Sequence, residues 1–137
     1  MCVLRVAGKH FDVDAFIKKS KLEPCNVYHR GEPALRTKPR KYKCSQSGFT
    51  VSVSNASWKN FRRQIGDAIQ FLTKNKAEIS RLKKFAGVEA VVLDFPTFYN
   101  EKKLMQAYDF PVELIALAYQ LRIGLWISEY PDPESKD

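Results

Sequence analysis

Long apolar runs are missing from this 137-residue chain, because charged or polar side chains interrupt each one before it reaches the roughly 18 residues of a membrane-spanning helix. That excludes a helical membrane anchor and makes the chain read as soluble. Met1 leads straight into a strand-like CVLRVAG with no basic, apolar and cleavage regions in succession, so no signal peptide is expected and the location reads as cytoplasmic. Cysteine is sparse. Cys2, Cys25 and Cys44 are odd in number and irregularly spaced, which suits reduced thiols and not a disulfide framework.

Histidine is scarcer still, with His10 and His29 alone, and no GxSxG, P-loop, GxGxxG or HExxH signature occurs. A nucleophile would need a base within hydrogen-bond reach and an oxyanion donor, and neither histidine sits in such a setting. Cys25 and His29 are the nearest approach to a metal pair. Four residues apart on a strand they stand about 13 Å from each other, too far to share one ion. Asp12 and Asp14 pair two carboxylates at a helix start, where they favour the macrodipole without catalysis. The expectation is a non-enzyme with no cofactor and no metal.

Acidic residues are also outnumbered, 15 against 23 Lys and Arg, for a formal charge of +8. That charge favours an acidic partner, whether protein or nucleic acid. Most cations are scattered along solvated faces. The dense block is Arg36, Lys38, Arg40, Lys41 and Lys43, a polyanion-binding candidate set in a loop with Pro33 and Pro39.

What is present is an alternation of strands and helices. Residues 2–7 read as a strand ended by Gly8, and Asp12 caps a helix carrying Val13, Phe16 and Ile17 that stops before Pro24. Residues 25–30 make a second strand. Residues 48–54 alternate Phe49, Val51 and Val53 with Thr50, Ser52 and Ser54, the pattern of a half-buried strand. Trp58, Phe61, Ile65, Ile69 and Leu72 form the core stripe of a long helix capped by Asn55 or Ser57. A shorter helix follows over 77–86 with Gly87 as its stop. Residues 88–95 form a strand buried on both faces and ended by Pro96, and residues 96–109 a loop. Pro111 suits the first turn of a helix whose core stripe is Leu114, Leu117, Ala118 and Leu121, and Ile123, Leu125 and Ile127 alternate in the last strand. Residues 1–130 are expected to form one α+β domain, with 131–137 a polar C-terminal tail. The first six elements have the βαββαβ order of a ferredoxin-like core, so the expectation is a two-layer sandwich with an added C-terminal helix and strand, its sheet mainly antiparallel.

The RNA recognition motif shares that order and stacks bases on aromatics of its first and third strands. Here the first strand has none, and the third offers Phe49 but Val51 in the second place. Nucleic acid is therefore not favoured as a partner. The aromatics that invite one are Trp126 and Tyr130, on the strand face opposite Ile123, Leu125 and Ile127, together with Tyr99 and Tyr108. A protein partner, a second subunit in a homodimer, or the 96–109 loop would cover them. Trp58 is read as helix-to-sheet core.

Several motifs together resemble the bacterial family catalogued as domain of unknown function 4279. Asp12-Val13-Asp14, opening a helix that ends in Lys21-Leu22-Glu23-Pro24, is similar to its "DPDE…LGLEP" start, and Arg30-Gly31-Glu32 to its "KGE" turn. Residues 110–118 followed by 121–130 resemble its closing "SPELLKRLADLGLSLDIDIY". The chain lacks that family's Trp near Phe49 and has Lys21 where Gly is usual. These are motifs of packing and turns, and they bring no catalytic residues. The resemblance implies a small binding domain, of which an immunity protein is one form.

Overall fold

The computed structural model describes residues 1–34 and 42–134. Within them lie a five-strand mixed sheet and four helices, an α+β protein. Strand β1 (Cys2–Gly8) leads to helix α1 (Val13–Lys18), then to β2 (Pro24–Tyr28) and β3 (Ser47–Ser54). Helices α2 (Phe61–Lys74) and α3 (Lys76–Lys84) follow, then β4 (Ala90–Tyr99), α4 (Val112–Leu121) and β5 (Gly124–Pro131). The sheet order is β2-β3-β1-β4-β5, antiparallel at each step except the last, where β5 runs parallel to β4. No helix among the described residues is long and apolar enough to cross a membrane.

Alternation sorts the sheet into two faces. The registers Leu4 with Val51 and Leu93, and Val6 with Phe49 and Val91, line up one apolar face under the helices. Phe16 of α1 stacks on Phe49 at 5.7 Å, Phe85 meets Phe16 edge-on at 5.3 Å, and Phe61 of α2 meets Phe95 at 5.7 Å. Phe16, Phe49 and Phe95, with Leu72, Ile79, Leu82 and Leu114, are fully buried, and Phe61 and Phe85 are partly buried against them. Their removal from water is the main favourable contribution to folding.

Local signals set the element ends. The Asp12 side chain accepts the Ala15 N–H as expected of a cap, but α1 ends at Lys18, earlier than Pro24, because Ser20 turns the chain by accepting the Leu22 N–H. Helix α2 starts at Phe61, capped by Asn60 and not by Asn55 or Ser57. Trp58 therefore lies before the helix. The second strand starts at Pro24 and stops at Tyr28, short of Arg30.

Two strands depart from expectation for tertiary reasons. From Ser47 to Val51 β3 is buried on both faces, not half-buried. Larger side chains from its neighbours lie over its small ones: a Cβ at Gly48 would fall 2.5 Å from the Tyr28 hydroxyl, and Cys25 Sγ contacts Thr50 Oγ1 at 3.3 Å. Pro96, expected to end β4, lies inside it. The Pro96 carbonyl accepts Gln64 Nε2 at 3.0 Å, on the side away from β5, and β1 no longer pairs beyond Asp94. The N–H that proline lacks would point to the same vacated side, so no ladder bond is lost.

Candidate partner-binding surface

Strand β5 is an edge. Residues 92–99 of β4 pair with one side of it from Gly124 to Pro131, and among the described residues no strand pairs with the outer side. Gly124, Trp126, Ser128 and Tyr130 alternate onto the face away from the helices. Trp126 is 54% exposed there. Beside it the Asp94 carboxylate, 3% exposed, accepts the Ser128 hydroxyl at 2.5 Å and Arg5 Nε at 2.7 Å. This is a built polar centre on an otherwise small-residue face. Burial, reinforced by the Asp94 charge, pushes the nearby Cys2 thiol up to about 12, so it stays protonated and unreactive.

Tyr130 is less available than Trp126. Its ring lies 4.9 Å from Trp58, which in turn lies 5.0 Å from Phe98, so Trp58 covers the end of the open face and is not helix-to-sheet core.

Tyr108 sits on the opposite side of the sheet. Its hydroxyl meets Thr97 Oγ1 at 2.7 Å and donates to Glu129 Oε1 at 2.7 Å, and its ring packs on Phe61 at 5.1 Å. Partial burial raises its phenol above the ordinary value. Gln106 secures the same loop, accepting the Asn100 N–H at 2.6 Å and donating to the Phe98 carbonyl at 3.0 Å. Between this strap and the Trp58 turn lies a cleft of about 270 Å³, edged by Lys59, Lys103 and Asp132. Lys59 is engaged by Glu134 and Asp132. Tyr99 is half-buried at the end of β4, opposite Pro131. The four aromatics thus do not gather into one patch: Trp126 stands exposed, Tyr130 is stacked, and Tyr108 is tied down behind the sheet.

Of the basic block, Arg36, Lys38, Arg40 and Lys41 lie outside the described residues. Lys43 is exposed at the loop's root, where Gly31 N–H donates to Cys44 at 2.8 Å, Cys44 N–H to Glu32 at 2.8 Å, and Lys43 bridges Pro33. His29 beside this root links Asp14 at 2.9 Å and Glu32 at 3.3 Å, and those two carboxylates raise its pKa. Cys25 instead lies against Thr50. Among the described residues no three His, Cys, Asp or Glu side chains are grouped so as to hold a metal ion.

Sequence reasoning missed one surface. On α4 the residues Val112, Ile115 and Tyr119 are 80%, 49% and 84% exposed, and Leu104 and Met105 before it are exposed as well. The i, i+3, i+7 spacing was the available signal, masked by the stronger core stripe of the same helix.

A family model described as domain of unknown function (DUF4279) matches residues 1–132. No curated protein matches the chain, and no solved structure does.

Proposed function

The chain belongs to the DUF4279 family, and on that premise we propose that it is a non-enzymatic domain that recognises a protein partner. The observation that carries this reading is Trp126, a large aromatic more than half exposed on an edge strand, with no helix over that face among the described residues. Exposed tryptophan is a common anchor of interfaces, and an open edge offers main-chain donors and acceptors to an added strand. Tyr130 shares the strand face with Trp126, while Tyr99 and Tyr108 lie outside that surface. The +8 charge favours an acidic partner. An immunity-type role against a toxin is one form of this. A nuclease target is disfavoured, since its inhibitor would present acidic groups. The setting we propose is the bacterial cytoplasm. The order β2-β3-β1-β4 of the first four strands supports a ferredoxin-like core extended by α4 and β5.

The test is recovery of the tagged protein from its native cells at moderate salt, with nuclease treatment in parallel. The reading expects a discrete protein that survives nuclease and is lost with Trp126→Ala. Retention unchanged by Trp126→Ala, or nothing specific retained, overturns it.

The alternative is nucleic-acid or other polyanion binding through the 36–43 loop. Its support is charge asymmetry: residues 1–103 carry 21 of the 23 cations and nine of the 15 carboxylates, a net +12. It expects affinity that falls steeply with salt and drops when Arg40, Lys41 and Lys43 become Ala. Binding unchanged in that variant removes it.

A further inference from the structure

The two edges of the sheet are finished differently. Strand β2 is five residues long, opens with Pro24 and slips register between Pro24 and Asn26. Short length, proline and a bulge are devices that keep an edge from pairing with a foreign strand. Strand β5 has none of them over residues 124–130. It pairs with β4 for eight residues without a shift in register, its one proline is Pro131 at the end, and it contains no lysine. Trp126, Ile127 and Tyr130 are strong strand formers, so nothing local discourages further pairing.

The direction of the main chain shows which groups that edge offers. On β4 the Pro96 and Phe98 carbonyls accept Gln64 Nε2 and Gln106 Nε2, each at 3.0 Å, on the side away from β5. Even-numbered β4 residues therefore point away from β5, and Leu93, Phe95 and Thr97 point toward it. In the parallel register of Leu93 with Leu125 and Phe95 with Ile127, these residues bond to the neighbours of their partners, Gly124, Trp126 and Ser128. That leaves the N–H and C=O groups of Leu125, Ile127 and Glu129 facing outward, with no hydrogen-bond partner among the described residues. They form a row roughly 13 Å long, at about 3.3 Å per residue, beside the exposed Trp126.

We propose that the protein partner docks on this row by adding an extended segment to β5 as a further, antiparallel strand. The inference rests on the partner-binding reading and names the form the partner takes there, a strand in place of a helix or a flat surface. Opposite an antiparallel segment, Leu125, Ile127 and Glu129 make the hydrogen-bonded pairs. Trp126 then falls in a non-hydrogen-bonded pair, where cross-strand side chains lie closest, so the segment's residue opposite it is aromatic or β-branched. The residue beside Leu125 is apolar, because Leu125 packs against the core on the other face. The competing occupant is β5 of a second copy. Charge disfavours it, since two bodies of +8 repel each other and an acidic partner is drawn in.

The experiment is residue-resolved amide hydrogen exchange of the full chain by NMR, with a blocked probe peptide, acetyl-Glu-Thr-Val-Trp-Val-Thr-Glu-amide, added to millimolar concentration. The proposal expects the Leu125, Ile127 and Glu129 amides to slow about tenfold or more, while the Trp126 and Ser128 amides, already bonded to β4, change little. A peptide N-methylated at both valines, whose N–H groups would face β5, should lose the effect, and one N-methylated at both threonines should keep it. These comparisons alter only the peptide, so loss of folding cannot imitate them. No binding, binding that leaves the three amides unslowed, or equal loss with either methylated peptide would overturn the inference. So would slowing of the same amides when the protein alone is concentrated, which would give the edge to a second copy. A Trp126-dependent partner recovered from cells while the peptide fails would overturn strand addition alone, and recovery of none would overturn the reading beneath it.

Discussion

Arg5 Nε holds Asp94 Oδ2 at 2.7 Å across a diagonal of the β1–β4 ladder, joining a side chain 44% exposed to one almost wholly buried. The carboxylate cannot be left there alone. Arg5→Ala should destabilise the protein by about 2 kcal/mol, at the low end for a broken buried pair because water reaches the arginine side. Ser128→Ala, which removes one hydrogen bond to the same carboxylate, should cost about 1 kcal/mol. Urea denaturation measures both, and an Arg5→Ala cost near zero would show that Asp94 finds its compensation elsewhere.

Two glycines should respond in opposite directions to alanine. A Cβ on Gly8 would fall 1.8 Å from the Gly87 carbonyl oxygen, backbone that cannot move aside, and Gly87 itself needs φ +87°. Gly8→Ala should cost more than about 4 kcal/mol. At Gly66, exposed within α2, an added Cβ meets nothing, and Gly66→Ala should stabilise by roughly 0.5 to 1 kcal/mol. Thermal melts of the pair decide it.

The exit of α1 is tied to α3 by a carboxylate. Arg81 at 2.8 Å and the Ser20 hydroxyl at 2.9 Å both hold Glu78, and Arg81 leads in lowering its pKa below the ordinary 4.5. A lowered pKa gives stability that is present above 4.5 and lost as pH falls through the folded value. Glu78→Gln should therefore flatten the acid limb of a stability-against-pH curve. An unchanged acid limb would assign it to other carboxylates.

His29 works in the other direction. Asp14 first and Glu32 second raise its pKa above the ordinary 6.5, so its contribution is full below 6.5 and lost as pH rises through the folded value. All three groups are substantially exposed, so salt should screen the effect. Proton NMR titration of the imidazole should show the raised midpoint, moving back toward the ordinary value in Asp14→Asn. A midpoint at 6.5 or below would mean that the contact does not form in solution.

Features fixed by neighbours in the chain were legible. The Asp12 cap, the β5 alternation and the inner stripe of α4 all follow from residues a few positions apart. What escaped depends on distant chain. Pro96 reads locally as a stop, because nothing nearby in the chain reveals that the β1–β4 ladder ends at the Val3–Asp94 pair and leaves its nitrogen no bond to miss. Thr50 alternates like a surface residue, yet Arg5 and Cys25 from two other strands flank it. Trp58 fits the helical period with Phe61 and Ile65, but the Asn60 cap starts the helix after it and frees it to reach Tyr130. Aromatic character alone sets Tyr108 beside Trp126 as a candidate. The path of the 100–110 segment, invisible to periodicity, puts them on opposite sides of the sheet.

The far half of β4 has a neighbour on one side only. Past Asp94 its ladder bonds all go to β5, while Thr97 and Glu129 together hold the Tyr108 strap. These pieces therefore share β5 as their sheet neighbour: should β5 peel away, residues 95–99, the strap and the cleft would keep only their contacts to α2 and within the strap and would loosen together. Slow hydrogen exchange would then report this corner as one cooperative unit, opening more readily than the β1–β3 centre, with Trp126 riding on the part that moves.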